Sequence, residues 1–405
     1  MTTAPTTGSR RFAPRTGEPN SIRQLVFWQN VVSLHQVGLL EAAAKRLPGR
    51  VSLIVDQAFN QKRIDQGWSV ETPSGVDLIV SPDNHEIATI CQNYSTADCH
   101  HVFSGIDAYR GVYHGLKTAS QTEARLNVYA ERPDARTLVR RMHSQIRGRV
   151  NARRWRNRIH RVLAVGDLAN QYYRQIGFAR EQVRTFGYFH DCAASSPQKT
   201  VSKCFQIACV ARQVPLKRID LLIHSLRHLS EFDWQASIVG DGPLLGQNKK
   251  LAASLGLSDR VHWTGTLSHN DVQSIVQGSD LLVLPSDYDG WGAVINEAFS
   301  VGTPVVVSGA CGAATTVCKP IHGAVFRSGC EQSLTDSLLR QIRQGPPTKK
   351  HRECLQNWYR QALAPAAGAD YLIEILSGNS TEPPWISSSS SLDTQSPPDG
   401  IGDGS

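Results

Sequence analysis

Residues 281–308 read LLVLPSDYDGWGAVINEAFSVGTPVVVS. Apolar Leu281 to Leu284 predicts a strand, and Pro285 with the glycines that follow predicts a loop. A short helix comes next, and Val305 to Val307 gives a second apolar strand. A strand–loop–helix–strand unit of this length is a right-handed crossover in a buried parallel sheet, because parallel neighbours cannot be joined by a hairpin. Ligands of such sheets sit beyond the carboxyl ends of the strands, where a loop feeds a helix. Here that loop is Ser286 to Gly292, and Gly290 and Gly292 lack the Cβ that would keep a ligand off the backbone. The N–H groups at the helix start are left free for an anion.

Asp289 stands just before this helix and Glu297 follows on it after seven intervening residues. Two carboxylates can therefore border one small cavity. Carboxylates accept hydrogen bonds and do not donate them, which suits the vicinal hydroxyls of a sugar or ribose. The unit is suited to a phosphorylated, hydroxyl-rich ligand.

Outward from this unit, strands and helical patterns alternate along most of the chain, which implies an α/β protein. Strands are expected at Gln24–Trp28, Val51–Asp56, Asp77–Val80, His101–Ser104, Leu126–Ala130 and Arg161–Val165. After a small, polar stretch at Cys192–Thr200, which reads as a hinge, further strands are expected at Gln206–Val210, Gln235–Val239 and His262–Gly265. The length of 405 residues allows two domains, each with its own core. Residues 21–192 and 193–364 are assigned to them, with a disordered arm before residue 21, a last helix at 365–377 and a solvated Ser-rich tail over 378–405.

The composition is that of a globular protein, 40% hydrophobic and 19% charged. A net charge of +8 favours anionic ligands or an anionic surface. There is no apolar run long enough to span a bilayer and no apolar core in the N-terminal segment to act as a secretion signal. The nine cysteines show no CxxC pair and no metal-ligand spacing, which argues for reduced thiols in a cytoplasmic protein and against a zinc site.

The central stretch resembles the retaining glycosyltransferases of family 4 (glycosyl transferases group 1). Their pattern is Glu-Gly-Phe-Gly, then Glu-Ala, then Gly-Thr-Pro-Val. This chain has Asp289-Gly290-Trp291-Gly292, Glu297-Ala298 and Gly302-Thr303-Pro304-Val305. The first acid is one methylene shorter and Trp replaces Phe. The resemblance extends over about Gln206 to Phe326, is weaker from Arg161 to Phe189, and fades in the rest of the first half. It implies two Rossmann-like domains facing across a cleft, the GT-B fold. It also implies transfer of a sugar from a nucleoside-diphosphate donor to an acceptor hydroxyl, in polysaccharide or glycolipid biosynthesis, with no metal or other cofactor.

The remaining candidates follow from residue chemistry beside that resemblance. Arg212 and Lys217 flank a Pro-containing loop directly after a strand, and a pyrophosphate in a cleft requires fixed cations. Two surface charges at a helix start is the plainer reading. The resemblance assigns them to the donor phosphates, with Gly290, Trp291 and Gly292 beside them, Asp289 on the transferred sugar and Glu297 on the ribose. Gly240 and Gly242 lie in a turn after a strand, which is not a dinucleotide fingerprint; the resemblance sets that turn near the nucleotide. Asp287 and Asp289 form a DxD, either a metal pair or two helix-capping acids, and the resemblance favours no metal. Glu131 stands after the strand Leu126–Ala130, where the family has a His. It either orients an acceptor hydroxyl or pairs with Arg132 or another Arg. His100 and His101 read as structural.

Arg140–Arg161 holds nine arginines and no acid. A solvated helical face, nucleic acid, or an anionic membrane surface with Met142, Ile146, Val150, Trp155 and Ile159 as apolar anchors would each account for it. No nucleic-acid recognition motif accompanies the run. Other functions stay open: a nucleotide-sugar epimerase or inverting transferase on the same fold, or a non-catalytic anion- or membrane-binding protein.

Overall fold

The computed structural model of the chain describes residues 22–57, 73–191 and 204–390. The expected hinge at Cys192–Thr200, the arm before residue 21 and the end of the tail lie outside the described residues.

The first half forms a seven-stranded parallel sheet in the order β3-β2-β1-β4-β5-β6-β7. In chain order it contains β1 (Gln24–Val31), α1 (Leu34–Arg46), β2 (Val51–Gln57), β3 (Asp77–Val80), α2 (Asn84–Asn93), β4 (Cys99–Ser104), α3 (Arg110–Ala119), β5 (Arg125–Ala130), α4 (Leu138–Trp155), β6 (Ile159–Val165), α5 (Asp167–Ile176) and β7 (Val183–Phe186). The second half forms a six-stranded parallel sheet in the order β10-β9-β8-β11-β12-β13. It contains β8 (Phe205–Val210), α6 (Ile219–Leu226), β9 (Trp234–Val239), α7 (Leu245–Ser254), β10 (Val261–Gly265), α8 (His269–Gly278), β11 (Leu281–Leu284), α9 (Val294–Ser300), β12 (Val305–Ser308), β13 (Gly323–Phe326), α10 (Glu331–Gln344), α11 (Lys349–Ala362), α12 (Pro365–Leu376) and α13 (Pro384–Ser390). The central unit is the one read from sequence: β11 and β12 are buried throughout and pair in parallel, Leu282 opposite Val305 and Leu284 opposite Val307.

Chain order reverses between β1 and β4 in the first sheet and between β8 and β11 in the second. At such a reversal the loops leaving adjacent strands turn to opposite faces and leave a crevice. Both candidate sites below lie at these two points.

The halves are locked at several places. Asn296 Nδ2 donates to the Tyr188 carbonyl at 2.8 Å, Tyr359 Oη to that of His190 at 2.6 Å, and Thr315 Oγ1 to Asp167 Oδ2 at 2.7 Å. α12 lies along α1, with Arg46 bonded to Asp370 and Tyr371 Oη donating to the Thr185 carbonyl at 2.8 Å.

The expectation of a solvated tail from residue 378 is corrected at its start. α13 carries Trp385, which is fully buried against Phe189, Trp291 and Tyr371. A single large aromatic outweighs the polar run around it because its burial removes so much apolar area from water. Two of the expected membrane anchors are also corrected: Trp155 and Ile159 are buried in the first core.

His100 and His101 are structural. The Trp28 indole donates to His101 Nδ1 at 3.0 Å and His101 Nε2 reaches the Tyr94 carbonyl at 2.8 Å, which fixes the neutral ring. Burial pushes the His100 imidazole down to about 3, assisted by nearby His160 and Arg125; burial likewise takes His101 and His160 to about 4. Their folded-state values lie below the ordinary one, so the stability they allow is complete above about pH 6.5 and is lost as pH falls toward 4. Melting curves between about pH 7 and pH 4 should show a steep acid loss, and an His100→Asn variant should flatten it.

Candidate active site between the two sheets

The loop after β8 turns through a short 3₁₀ segment, Pro215–Lys217, whose Pro occupies a first-turn position where no N–H is needed. This aims Lys217 at the loop after β11, where its Nζ lies 2.5 Å from Asp289 Oδ2. Both side chains are roughly four-fifths buried. The next residue, Arg218, has a left-handed backbone (φ 50°), and its guanidinium bonds Asp287 at 3.1 Å and Asp220. The two acids of the DxD are thus held by two different cations.

Glu131 approaches from the first sheet. It does not pair with Arg132, whose guanidinium donates to the Ala310 carbonyl at 3.2 Å and lies over the Tyr288 ring. Tyr188 Oη donates to Glu131 Oε1, and the carboxylate rests against Gly290: a Cβ built there would stand 1.8 Å from Oε2. Burial raises the pKa of Glu131; the Tyr188 hydroxyl opposes this, nearby Asp289 adds to it and Lys217 offsets it. Lys217, Asp289, Gly290 and Glu131 therefore converge, although they leave strands of different sheets.

The N–H groups of Gly290, Trp291 and Gly292 donate to no acceptor among the described residues. The Trp291 side chain does not line the open face of the loop. It is buried beneath the loop against Tyr188 and Trp385, and its indole donates to Asn296 Oδ1 at 2.8 Å. Only its backbone faces the site.

Glu297 lies on the buried face of α9, 9% exposed, with no ion pair or side-chain hydrogen bond among the described residues. Burial alone pushes it up to about 7. A carboxylate in that condition lacks donors, and two ribose hydroxyls would supply them.

Arg212 lies in the same loop after β8 as Lys217, and Gly240 and Gly242 lie one strand further along the second sheet, after β9. Arg212 is exposed, and no contact joins it to Lys217, Asp289 or Glu131 among the described residues. Gly240 and Gly242 have positive φ values of 120° and 154° and admit the Ala211–Gln213 backbone; a Cβ would stand 2.2 Å from the Ala211 carbonyl and 2.6 Å from that of Gln213. Their glycines are explained by that packing of loop on loop.

At the reversal point of the first sheet lies a cavity of about 690 Å³ lined by the loops after β1, β4 and β5, the inner face of α4, Tyr188 and Tyr288. Gln29 and Gln36 line it, 3% and 7% exposed, and Gln29 Nε2 and Gln36 Oε1 have no partner among the described residues. A buried donor and acceptor without partners are costly unless a ligand pairs them. These two, with Tyr188, Tyr288, Arg218 and Asn296, were not legible in the sequence. Tyr188 meets Glu131 across 57 positions, and no local pattern marks either end.

Residues 194–361 match the family model described as glycosyl transferases group 1. Among curated relatives, the chain is 34% identical over 103 residues to an MMP alpha-(1->4)-mannosyltransferase of Mycolicibacterium hassiacum, 25% of each protein. It is 31% identical over 141 residues to a GDP-mannose-dependent alpha-(1-6)-phosphatidylinositol monomannoside mannosyltransferase of Mycolicibacterium smegmatis, 33% of this chain and 37% of that one. These matches span a quarter to about a third of the relatives' own lengths. In three dimensions the chain overlays Anabaena Alr3699/HepE solved with UDP (TM-score 0.67, 18% identity, 87% of this chain and 99% of the other). It also overlays the lipopolysaccharide outer core galactosyltransferase WaaB in its apo form (TM-score 0.66, 14% identity, 87% and 99%). With two parallel α/β sheets facing across one site, the chain has the GT-B fold, and its residues 194–361 match the glycosyl transferases group 1.

Proposed function

We propose that this protein is a retaining glycosyltransferase that moves a sugar from a nucleoside-diphosphate donor to an acceptor hydroxyl in polysaccharide or glycolipid biosynthesis. The carrying observation is the convergence of Lys217 and Asp289 from one sheet with Glu131 from the other. The relatives' names, which include mannosyltransferases, and a neighbour solved with UDP support a nucleotide-sugar donor.

Lys217 carries three N–H groups, so it holds Asp289 with one and offers the others to the diphosphate. Arg212 and the loop amides of Gly290 to Gly292 complete the anion site, with the Gly240–Gly242 turn beside it. As the bond from the anomeric carbon to the diphosphate breaks, the new negative charge meets these fixed donors. The acceptor oxygen bonds to that carbon on the same face, and its proton passes to a diphosphate oxygen, so no protein nucleophile is needed. Asp289 orients the donor sugar and Glu131 the acceptor hydroxyl. Residues 21–192 take the acceptor, residues 193–364 the donor, and closure of the cleft between them excludes water. The acceptor is a carbohydrate or lipid-linked hydroxyl, and the protein works in the cytoplasm at an anionic surface met by Arg140–Arg161.

A melting screen against UDP-, GDP- and ADP-sugars tests this, since selective binding to the folded state raises the melting temperature. One donor class should give a clear shift, and Glu297→Gln should remove most of it. Because the folded-state value of Glu297 is raised to about 7, the stability it contributes is full below about pH 4.5 and lost as pH rises through 7. Without ligand, Glu297→Gln should therefore melt higher than the parent at pH 8, by up to about 3 kcal/mol in stability. No shift with any nucleotide sugar would overturn the reading. With the selected donor, NMR of the product's anomeric proton must show the donor's configuration.

A further inference from the structure

The amphipathic order of α4 is reversed. Apart from Trp155 at its end, the face it packs against the protein is small: Ser144, Gly148 and Ala152 are buried, and a Cβ on Gly148 would stand 2.4 Å from the Tyr172 hydroxyl. Its large aliphatic residues point to solvent instead. Val139, Met142, Ile146 and Val150 are 78%, 64%, 61% and 58% exposed, spaced three and four apart so that they form one stripe. A helix that packs a globular core does the opposite.

The charges around that stripe are also unmatched. Asp134 and Asp107 take Arg140 and Arg147 on the inner side. Arg141, Arg149, Arg153 and Arg156 are exposed and have no acidic partner among the described residues. The helix itself has no acid. An exposed apolar ridge flanked by unpaired arginines is complementary to one kind of surface, in which anionic head groups lie over hydrocarbon. Nucleic acid offers nothing to the aliphatic stripe, and no helix among the described residues is long and apolar enough to cross a membrane.

We infer that α4 docks in the plane of an anionic lipid bilayer, with Val139, Met142, Ile146 and Val150 in the acyl boundary and Arg149 and Arg153 among the head groups. The adjoining side of the same helix, about a quarter of a turn round, lines the large cavity with His143, Arg147 and Asn151. Docking therefore sets the cavity at the lipid surface. The inference deepens the surface contact proposed above, but the docking itself does not depend on sugar transfer.

The test is co-sedimentation of the full chain with vesicles of phosphatidylcholine alone or mixed with phosphatidylglycerol. Binding is expected only to the mixed vesicles and should weaken with salt. Arg149→Gln with Arg153→Gln should lower it about thirtyfold, at about 1 kcal/mol per arginine. Met142→Ser with Ile146→Ser and Val150→Ser should abolish it. Both variants should keep the parent's donor-induced melting shift, which shows that the fold and donor site are intact. Undiminished binding by either variant overturns the inference; if only the arginine variant loses binding, the surface is purely electrostatic and suits an acidic macromolecule instead. If the parent binds mixed vesicles yet no nucleotide sugar shifts its melting, docking stands and the transferase reading fails.

Discussion

Lys217→Ala should lower kcat/KM by about 10²–10³-fold, the usual cost of removing one fixed donor from a group that gains charge in the transition state. Lys217 Nζ is held at 2.5 Å from Asp289 and is largely buried, so no solvent cation replaces it at the same position. Its loss also leaves Asp289 and Glu131 facing each other. Lys217 lowers the pKa of Glu131 while Asp289 raises it, so the variant's Glu131 should titrate at higher pH. If Glu131 works as a carboxylate, the acid limb of the pH–rate profile moves upward. A lysine that merely stabilised the loop would move the melting temperature and leave that limb in place. Lys217→Arg should recover only part of the rate, because a planar guanidinium cannot serve Asp289 and a phosphate with the same geometry. A fall of less than about tenfold in the alanine variant would remove Lys217 from the chemistry.

Gly312→Ala should be nearly as damaging, for a purely steric reason. A Cβ at Gly312 would stand 2.1 Å from the Gly290 carbonyl oxygen and 3.1 Å from the Trp291 Cα. Backbone meets backbone there, and no side chain can rotate to relieve it. The bonds from Gly312 N–H to the Asp289 carbonyl (3.2 Å) and from Ala313 N–H to that of Trp291 (2.9 Å) tie the two loops at this point. Forcing them apart should cost about 1–3 kcal/mol in stability. A displacement of about 1 Å at Asp289 and Gly290 should cost on the order of a hundredfold in turnover. Gly290→Ala offers the contrast. Its clash is with the end of the Glu131 side chain, which can swing away, so the melting temperature should hold while acceptor handling suffers. Chemical denaturation together with turnover separates the two cases: loss of stability in Gly312→Ala but not in Gly290→Ala. Equal stability losses would contradict the geometry.

Local pattern carried much of the architecture. Buried parallel strands are continuous apolar runs, so β11 is legible to the residue; the edge strand β3 is marked as sharply by its short apolar run, and most other elements are legible to within a few positions. α7 and β13 were not. α7 begins after a Gly-Pro turn and has a weak apolar face, and β13 is only GAVF, half exposed at a sheet edge. The tail and the arginine segment were misjudged in part for the same reason. Trp385 and Trp155 sit in polar or basic surroundings, and only the surfaces they meet decide that they are buried.

For the site, the sequence by itself determined which chemical groups are present. Asp289, Gly290, Gly292 and Glu297 are fixed by one strand–loop–helix unit whose geometry is local, and the pull of a polar loop toward the strand ends is a property of any parallel sheet. Tertiary structure alone decided what each group faces. Lys217 meets Asp289 across 72 positions, and Glu131 meets Tyr188 across 57 and lies on Gly290. Trp291 is turned away and Arg212 stays at the rim. Such partnerships depend on where chain order reverses in two separate sheets and on how those sheets dock. These are sums over many distant contacts, and no window of neighbouring residues records them.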